Sequence, residues 1–208
     1  MNKLLGVFGG SFNPIHMGHL ILAEYIREEF NLDKVIFIPT GNPPHKLNSE
    51  LEGAQHRYNM VKLAIDANPY FLVSNTEIER VGVSYTYDTL IELNKKYPKK
   101  NLFFICGSDS IIQFPTWRKI DKILKLANII VADRHNISES ELGNLVNEYK
   151  NEYKANICYS SAPKIEISSS HIRNRIQNGL SINYMVPEVV TEYIIANGLY
   201  QGDAHEYC

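Results

Sequence analysis

Cysteine is scarce: three residues in 208, and Cys106, Cys158 and Cys208 stand far apart. That spacing supplies neither a disulfide framework nor paired metal ligands, so no protein-held metal is expected and a reducing cytoplasm is the expected location. Charge of one sign is lacking too. The formal net charge is -2, which argues against a general polyanion binder, so no nucleic-acid partner is expected. No apolar run reaches membrane-spanning length, and the N-terminal run is too short for a secretion signal. Repeats, linkers and low-complexity tracts are missing. So are the three-glycine dinucleotide fingerprint and the Walker lysine. A phosphate site must therefore be local, built from a few cations and oriented amides.

Hydrophobic residues make up 44% of the chain and charged residues 21%, enough apolar material for a packed core. One domain over residues 1–200, including a C-terminal helical part, is expected, with a polar tail at 201–208. Short apolar runs at 4–8, 35–38, 71–74, 102–106, 129–132 and 156–159 read as strands, and 165–167 as a further short one. Between them lie helical spacings, such as Leu20, Ala23, Ile26 and Phe30, then Tyr58, Val61 and Ile65. This alternation predicts an α/β fold: a Rossmann-like, doubly wound, mostly parallel sheet with helices on both faces. In such sheets ligands sit beyond the carboxyl ends of the strands, where strand order reverses.

The first strand runs into Gly9-Gly10-Ser11-Phe12-Asn13-Pro14-Ile15-His16-Met17-Gly18-His19. Two glycines let the backbone turn sharply and approach a ligand. A helix starting near His16 or Met17 would place His16 and His19 on one face, where free amides already attract anions. Gly18 would leave a flat spot for a base or sugar. Near the other end, Ser168-Ser169-Ser170-His171-Ile172-Arg173 reads as a serine-capped helix start with an arginine one turn in. A lone histidine, or a serine cap with a solvated arginine, is the plainer reading of either motif alone. Together they can face a triphosphate from two sides.

These two motifs resemble the His-x-Gly-His and Ser-Ser-x-x-Ile-Arg signatures of the nucleotidyltransferase superfamily. More of the chain is similar to the bacterial nicotinate-nucleotide adenylyltransferases: Pro43-Pro44-His45-Lys46, Ser84-Tyr85-Thr86, Asp88-Thr89-Leu90, Gly107-Ser108-Asp109, Phe114 to Trp117, and Val186-Pro187 with a closing helix at 193–200. The resemblance implies transfer of AMP from ATP to nicotinate mononucleotide, giving deamido-NAD and pyrophosphate, with NAD downstream. It implies that His16, His19, Lys46 and Arg173 contact the ATP phosphates, and that Mg2+ rides on those phosphates. Gly9, Gly10, Ser11, Phe12, Gly18, Ser168, Ser169, Ser170 and Ile172 would complete the ATP site, with Gly107 and Asp109 at the ribose. Tyr85, Thr86 and Trp117 would form the pocket for the pyridine ring. The expected partners are these small molecules, with a homo-oligomer as a further option. Asn13 and Ser170 stand where the family commonly has aspartate and threonine, and Asp133-Arg134-His135-Asn136 lacks its Pro-Gly.

Other readings remain open at this point. A phosphopantetheine adenylyltransferase generally has threonine in place of the first histidine and a shorter chain. A cytidylyltransferase with a phospho-alcohol acceptor is a further option, as is a non-catalytic nucleotide-binding module. Class I aminoacyl-tRNA synthetases share the motif logic but need an anticodon-binding domain.

Overall fold

The structure, a computed structural model, describes residues 3–43, 51–132 and 139–201. Strands β1 (Lys3–Gly10), β2 (Lys34–Pro39), β3 (Phe71–Val73), β4 (Lys100–Gly107), β5 (Asn128–Ala132) and β6 (Ile157–Tyr159) form one sheet in the order β3-β2-β1-β4-β5-β6. Every neighbouring pair is parallel. The chain winds outward from β1 to β3, then returns to lay β4 beside β1. Strand order therefore reverses between β1 and β4. The expected doubly wound α/β architecture is the one observed.

Side-chain alternation along the strands explains why both faces are covered. Val35 and Phe37 of β2, Phe103 and Ile105 of β4, and Ile130 and Ala132 of β5 enter one core. Their neighbours Ile36 and Ile38, Phe104 and Cys106, and Ile129 and Val131 enter the other. The first core is closed by α1 (Met17–Glu29), α2 (Ala54–Ile65), α8 (Ser169–Gln177) and α9 (Glu188–Ala196), through residues such as Ile26, Met60, Ile172 and Ile194. The second is closed by α4 (Thr86–Lys96), α5 (Ser108–Gln113), α6 (Ile120–Leu126) and α7 (Glu139–Tyr153), through Leu93, Ile111, Ile123 and Val146. The short α3 (Thr76–Glu79) follows β3. Each of these fully buried aliphatic side chains contributes about 1.5–3 kcal/mol of burial free energy. Among the described residues no helix is long and apolar enough to cross a membrane.

Two expectations need correction. Residues 165–167 form no strand: the sheet ends at β6, and this segment belongs to no ladder. Its period-two pattern is real, with Ile165 and Ile167 half-buried and Glu166 exposed. The pattern arises from lying along the fold, where Ile165 packs near Gly18, rather than from strand pairing. The closing helix is also placed earlier than 193–200. It starts after Pro187 and ends at Ala196, because Gly198 and Tyr200 take positive φ angles of 60° and 63° that a helix cannot continue.

Candidate active site

β1 delivers the chain into the first turn at the strand-order reversal. Phe12 adopts a φ of 45°, and the Asn13–Pro14 peptide is cis. Phe12 is buried, its ring meeting those of Phe8 and His19 edge-on at 5.6 and 5.1 Å. Its side chain thus serves the core. The same holds for Ile172, which is fully buried in α8.

His16 caps α1 with an extended backbone, and His19 follows one turn on. The His16 backbone N–H donates to Nδ1 of His19 at 3.3 Å. Acceptance at Nδ1 leaves the ring proton on Nε2, so His19 offers an N–H donor from the other side of its ring. The two imidazoles stack with centroids 3.6 Å apart and planes 28° from parallel. Gly18 makes this possible: a Cβ there would sit 3.1 Å from Nδ1 of His16. The His16 ring and Ile165 stand close over Gly18, where a side chain would meet both.

The second motif docks directly on the first. Ser168 caps α8 by accepting the His171 backbone N–H at 3.1 Å, the expected serine cap. Ser169 Oγ donates to the Pro14 carbonyl at 2.8 Å, and Arg173 Nη1 donates to the Asn13 carbonyl at 2.9 Å. Arg173 Nη2 reaches Ser170 Oγ at 3.4 Å. Contacts across 155 and 160 positions of sequence thus bring the starts of α1 and α8 to one turn. Tyr200 holds that turn from a third direction, its hydroxyl donating to Asn13 Oδ1 at 2.9 Å. Burial pushes the Tyr200 phenol well above its ordinary range, so it remains a donor.

Beside this turn a cleft of about 710 Å³ opens at the β1/β4 reversal. Gly9, Gly10 and Ser11 line it on one side, and Gly107 and Asp109 at the end of β4 on another. Tyr85, Thr86 and Trp117 form its aromatic end. Trp117 follows the 3-10 turn Phe114–Thr116 and packs against Phe114 at 5.0 Å and Phe104 at 6.0 Å. Gly107, rather than Asp109, caps α5, which leaves the Asp109 carboxylate exposed in the helix's first turn and at the cleft wall. His16, His19, residues 168–170 and Arg173 do not line the cleft. They adjoin it through the first turn, which both regions share. Lys46 and Arg134 lie outside the described residues.

Sequence reasoning missed three groups. Arg57 is 1% exposed, yet its guanidinium donates to the carbonyls of Glu52 at 2.9 Å, Ser11 at 2.7 Å, Thr40 at 2.7 Å and Gly41 at 3.4 Å. It ties the turns after β1 and β2 to the start of α2. Burial lowers its pKa, and neighbouring anionic groups oppose that shift. A signal existed: Arg57 sits four residues before Val61, on the apolar stripe of α2. Glu77, buried at the cleft wall, accepts from Thr89 Oγ1 at 2.7 Å. Burial raises its carboxyl pKa, while hydrogen bonds from Thr89, Gly41 and Ser84 partly offset the rise. Only its place beyond a strand end pointed to it. Arg118, next to Trp117, also lines the cleft, with its guanidinium carbon 4.8 Å from the centroid of the Tyr85 ring.

The fold agrees with what comparison finds. The sequence model of the cytidylyltransferase-like family matches residues 7–175. The chain belongs to this family. A protein of Thermoanaerobacter sp. is 43% identical over 96% of this chain and 95% of its own length, and one of Lachnoclostridium phytofermentans is 41% identical over 95% and 99%. Both carry the name "Probable nicotinate-nucleotide adenylyltransferase". Among solved structures, the nicotinic acid mononucleotide adenylyltransferase of Plasmodium falciparum, complexed with NaAD, superposes with a TM-score of 0.78. That match covers 95% of this chain and 97% of the other at 22% identity, a likeness of fold.

Proposed function

We propose that the protein transfers AMP from ATP to nicotinate mononucleotide, giving deamido-NAD and pyrophosphate. The observation that carries this reading is the joining of two distant helix starts, bearing His16, His19 and Arg173, to one turn beside a cleft with an aromatic end. One region suits a polyphosphate and the other a ring, and the shared first turn lies between them. The relatives at 41–43% identity support the same choice of acceptor by their names.

His19 Nε2–H, the His16 ring, Arg173 and Lys46, which lies outside the described residues, would hold the ATP phosphates. Ser11 and residues 168–170 supply amides and hydroxyls, and the glycines at 9 and 10 keep the backbone open to the ligand. Gly107 and Asp109 would meet a ribose. Tyr85, Thr86 and Trp117 would enclose the pyridine ring. Magnesium enters with ATP, as part of that substrate, bound to phosphate oxygens and largely hydrated.

The acceptor's phosphate would attack the α-phosphorus in line, with pyrophosphate leaving. A phosphate monoester has its second pKa near about 6, so it is already largely ionised at neutral pH and needs no general base. Nor is a covalent enzyme intermediate required. Catalysis is then positioning plus stabilisation of charge on the α-phosphate and the leaving group. The scattered cysteines suit a cytoplasmic location for this chemistry.

The test is incubation with ATP and, separately, nicotinate mononucleotide, nicotinamide mononucleotide, phosphopantetheine and phosphocholine, with pyrophosphate release measured. Fastest release with nicotinate mononucleotide is expected. Preference for any other acceptor would displace this reading.

A further inference from the structure

We infer that the Arg118 side chain is a specificity-determining group that makes the cleft prefer a pyridine bearing a carboxylate over one bearing a carboxamide. The inference rests on the proposed function and deepens it.

Among the described residues lining the cleft, Arg118 is the only lysine or arginine, whereas Glu77 and Asp109 are acidic. It stands at the aromatic end, away from the turn where His16, His19 and Arg173 gather. A neutral ring stacked between aromatic side chains has no need of a cation. A ring with an ionised substituent does, because transferring that charge from water into an aromatic enclosure is costly without a partner.

The guanidinium is also held in place rather than swinging free. Its central carbon lies 4.8 Å above the Tyr85 ring, within cation–π range, and Nη1 lies 3.6 Å from Asp88 Oδ2. Both supports come from the start of α4: Tyr85 is its cap, and Asp88 lies in its first turn. The distance to Asp88 is too long for a strong hydrogen bond, and Arg118 stays half exposed, so donors remain for a ligand. Thr86, the first residue of the same helix, lines the cleft beside them. The arrangement therefore directs positive charge at the end of the cleft where a ring substituent would lie.

Acid and amide mononucleotides have nearly the same shape and share ribose and phosphate. They differ by one charge on the ring substituent, so a group acting on that charge moves the two affinities unequally. A group that holds the phosphate, or merely props the Tyr85 ring, moves them together.

The experiment measures dissociation constants for nicotinate and nicotinamide mononucleotides by competition titration on wild type, Arg118→Gln and Arg118→Lys. In Arg118→Gln the acid-over-amide preference should fall about tenfold, the size expected of a partly screened charge interaction in a cleft. Arg118→Lys should restore most of it. Equal losses for both ligands in a variant that melts at the wild-type temperature, or an unmoved preference, would overturn the inference. Wild-type turnover of nicotinate mononucleotide is recorded in parallel. Its absence would sink the functional reading, whereas turnover with an unmoved preference would sink only the role of Arg118.

Discussion

Replacing Arg57 by alanine removes a guanidinium that serves four backbone carbonyls, three of them at 2.7–2.9 Å. Hydrogen bonds from a charged donor contribute about 1.5–3 kcal/mol each. Three such bonds would sum to about 4.5–9 kcal/mol, but the cost of burying the guanidinium offsets part of that. Removing one partner of a buried charged contact costs about 3–5 kcal/mol net, and that range is the expectation. For a chain of this size, about 2–4 °C of melting temperature accompanies each kcal/mol, so the variant should melt about 6–20 °C lower. The loss should not be confined to stability. The carbonyls released belong to Ser11, in the first turn, and to Thr40 and Gly41, after β2, so the phosphate side of the site loosens as well. Thermal unfolding by circular dichroism gives the first quantity, and KM for ATP, measured below both melting points, gives the second. Arg57→Lys keeps the charge but cannot reach all the carbonyls, and should fall between. A melting temperature within about 2 °C of wild type, with KM unchanged, would refute the claim that Arg57 holds these turns together.

The other predictions concern the site itself. His16→Ala and His19→Ala should each lower kcat by about 10²–10³ with the melting temperature little changed, the usual cost of losing one preorganised donor; full turnover in either variant would remove that ring from the mechanism. Trp117→Ala should mainly raise KM for the pyridine mononucleotide, and a constant KM would place the ring elsewhere. Glu77 has a folded-state pKa above its ordinary value, so its contribution favours the folded state below the ordinary glutamate range and is lost as pH rises through the folded-state pKa. Glu77→Gln removes that loss, and its melting temperature relative to wild type should climb between pH 4 and pH 8. A difference that stays flat across that range would mean that Glu77 ionises as readily folded as unfolded.

Much of the fold was legible because local pattern and global fold agree. Six apolar runs bounded by turns became six strands, since each is enriched in residues that suit a sheet covered on both faces. Residues 165–167 show where that reasoning fails: alternation reports which side chains are covered, and pairing depends on what lies alongside. The site divided in the same way. His16, His19, Ser169 and Arg173 could be named from type and spacing. The docking of Ser169 and Arg173 on the Pro14 and Asn13 carbonyls left no local trace, because those contacts span 155 and 160 positions. Phe12 and Ile172 lie inside the motifs yet turn into the core, for a motif mixes residues that touch ligand with residues that shape the loop. Arg57 and Glu77 escaped notice because charged residues are ordinarily read as surface, and their burial is satisfied by backbone carbonyls and a threonine hydroxyl that no spacing rule reveals.

The most direct trial of the account is calorimetric titration of a non-hydrolysable ATP analogue into wild type, His19→Ala and Arg173→Ala. If the two remote segments grip a single polyphosphate, wild type binds one analogue per chain, and each substitution weakens it by about ten- to a hundredfold, the worth of one charge-assisted hydrogen bond. Absence of binding to wild type, or equal affinity in all three proteins, would contradict it.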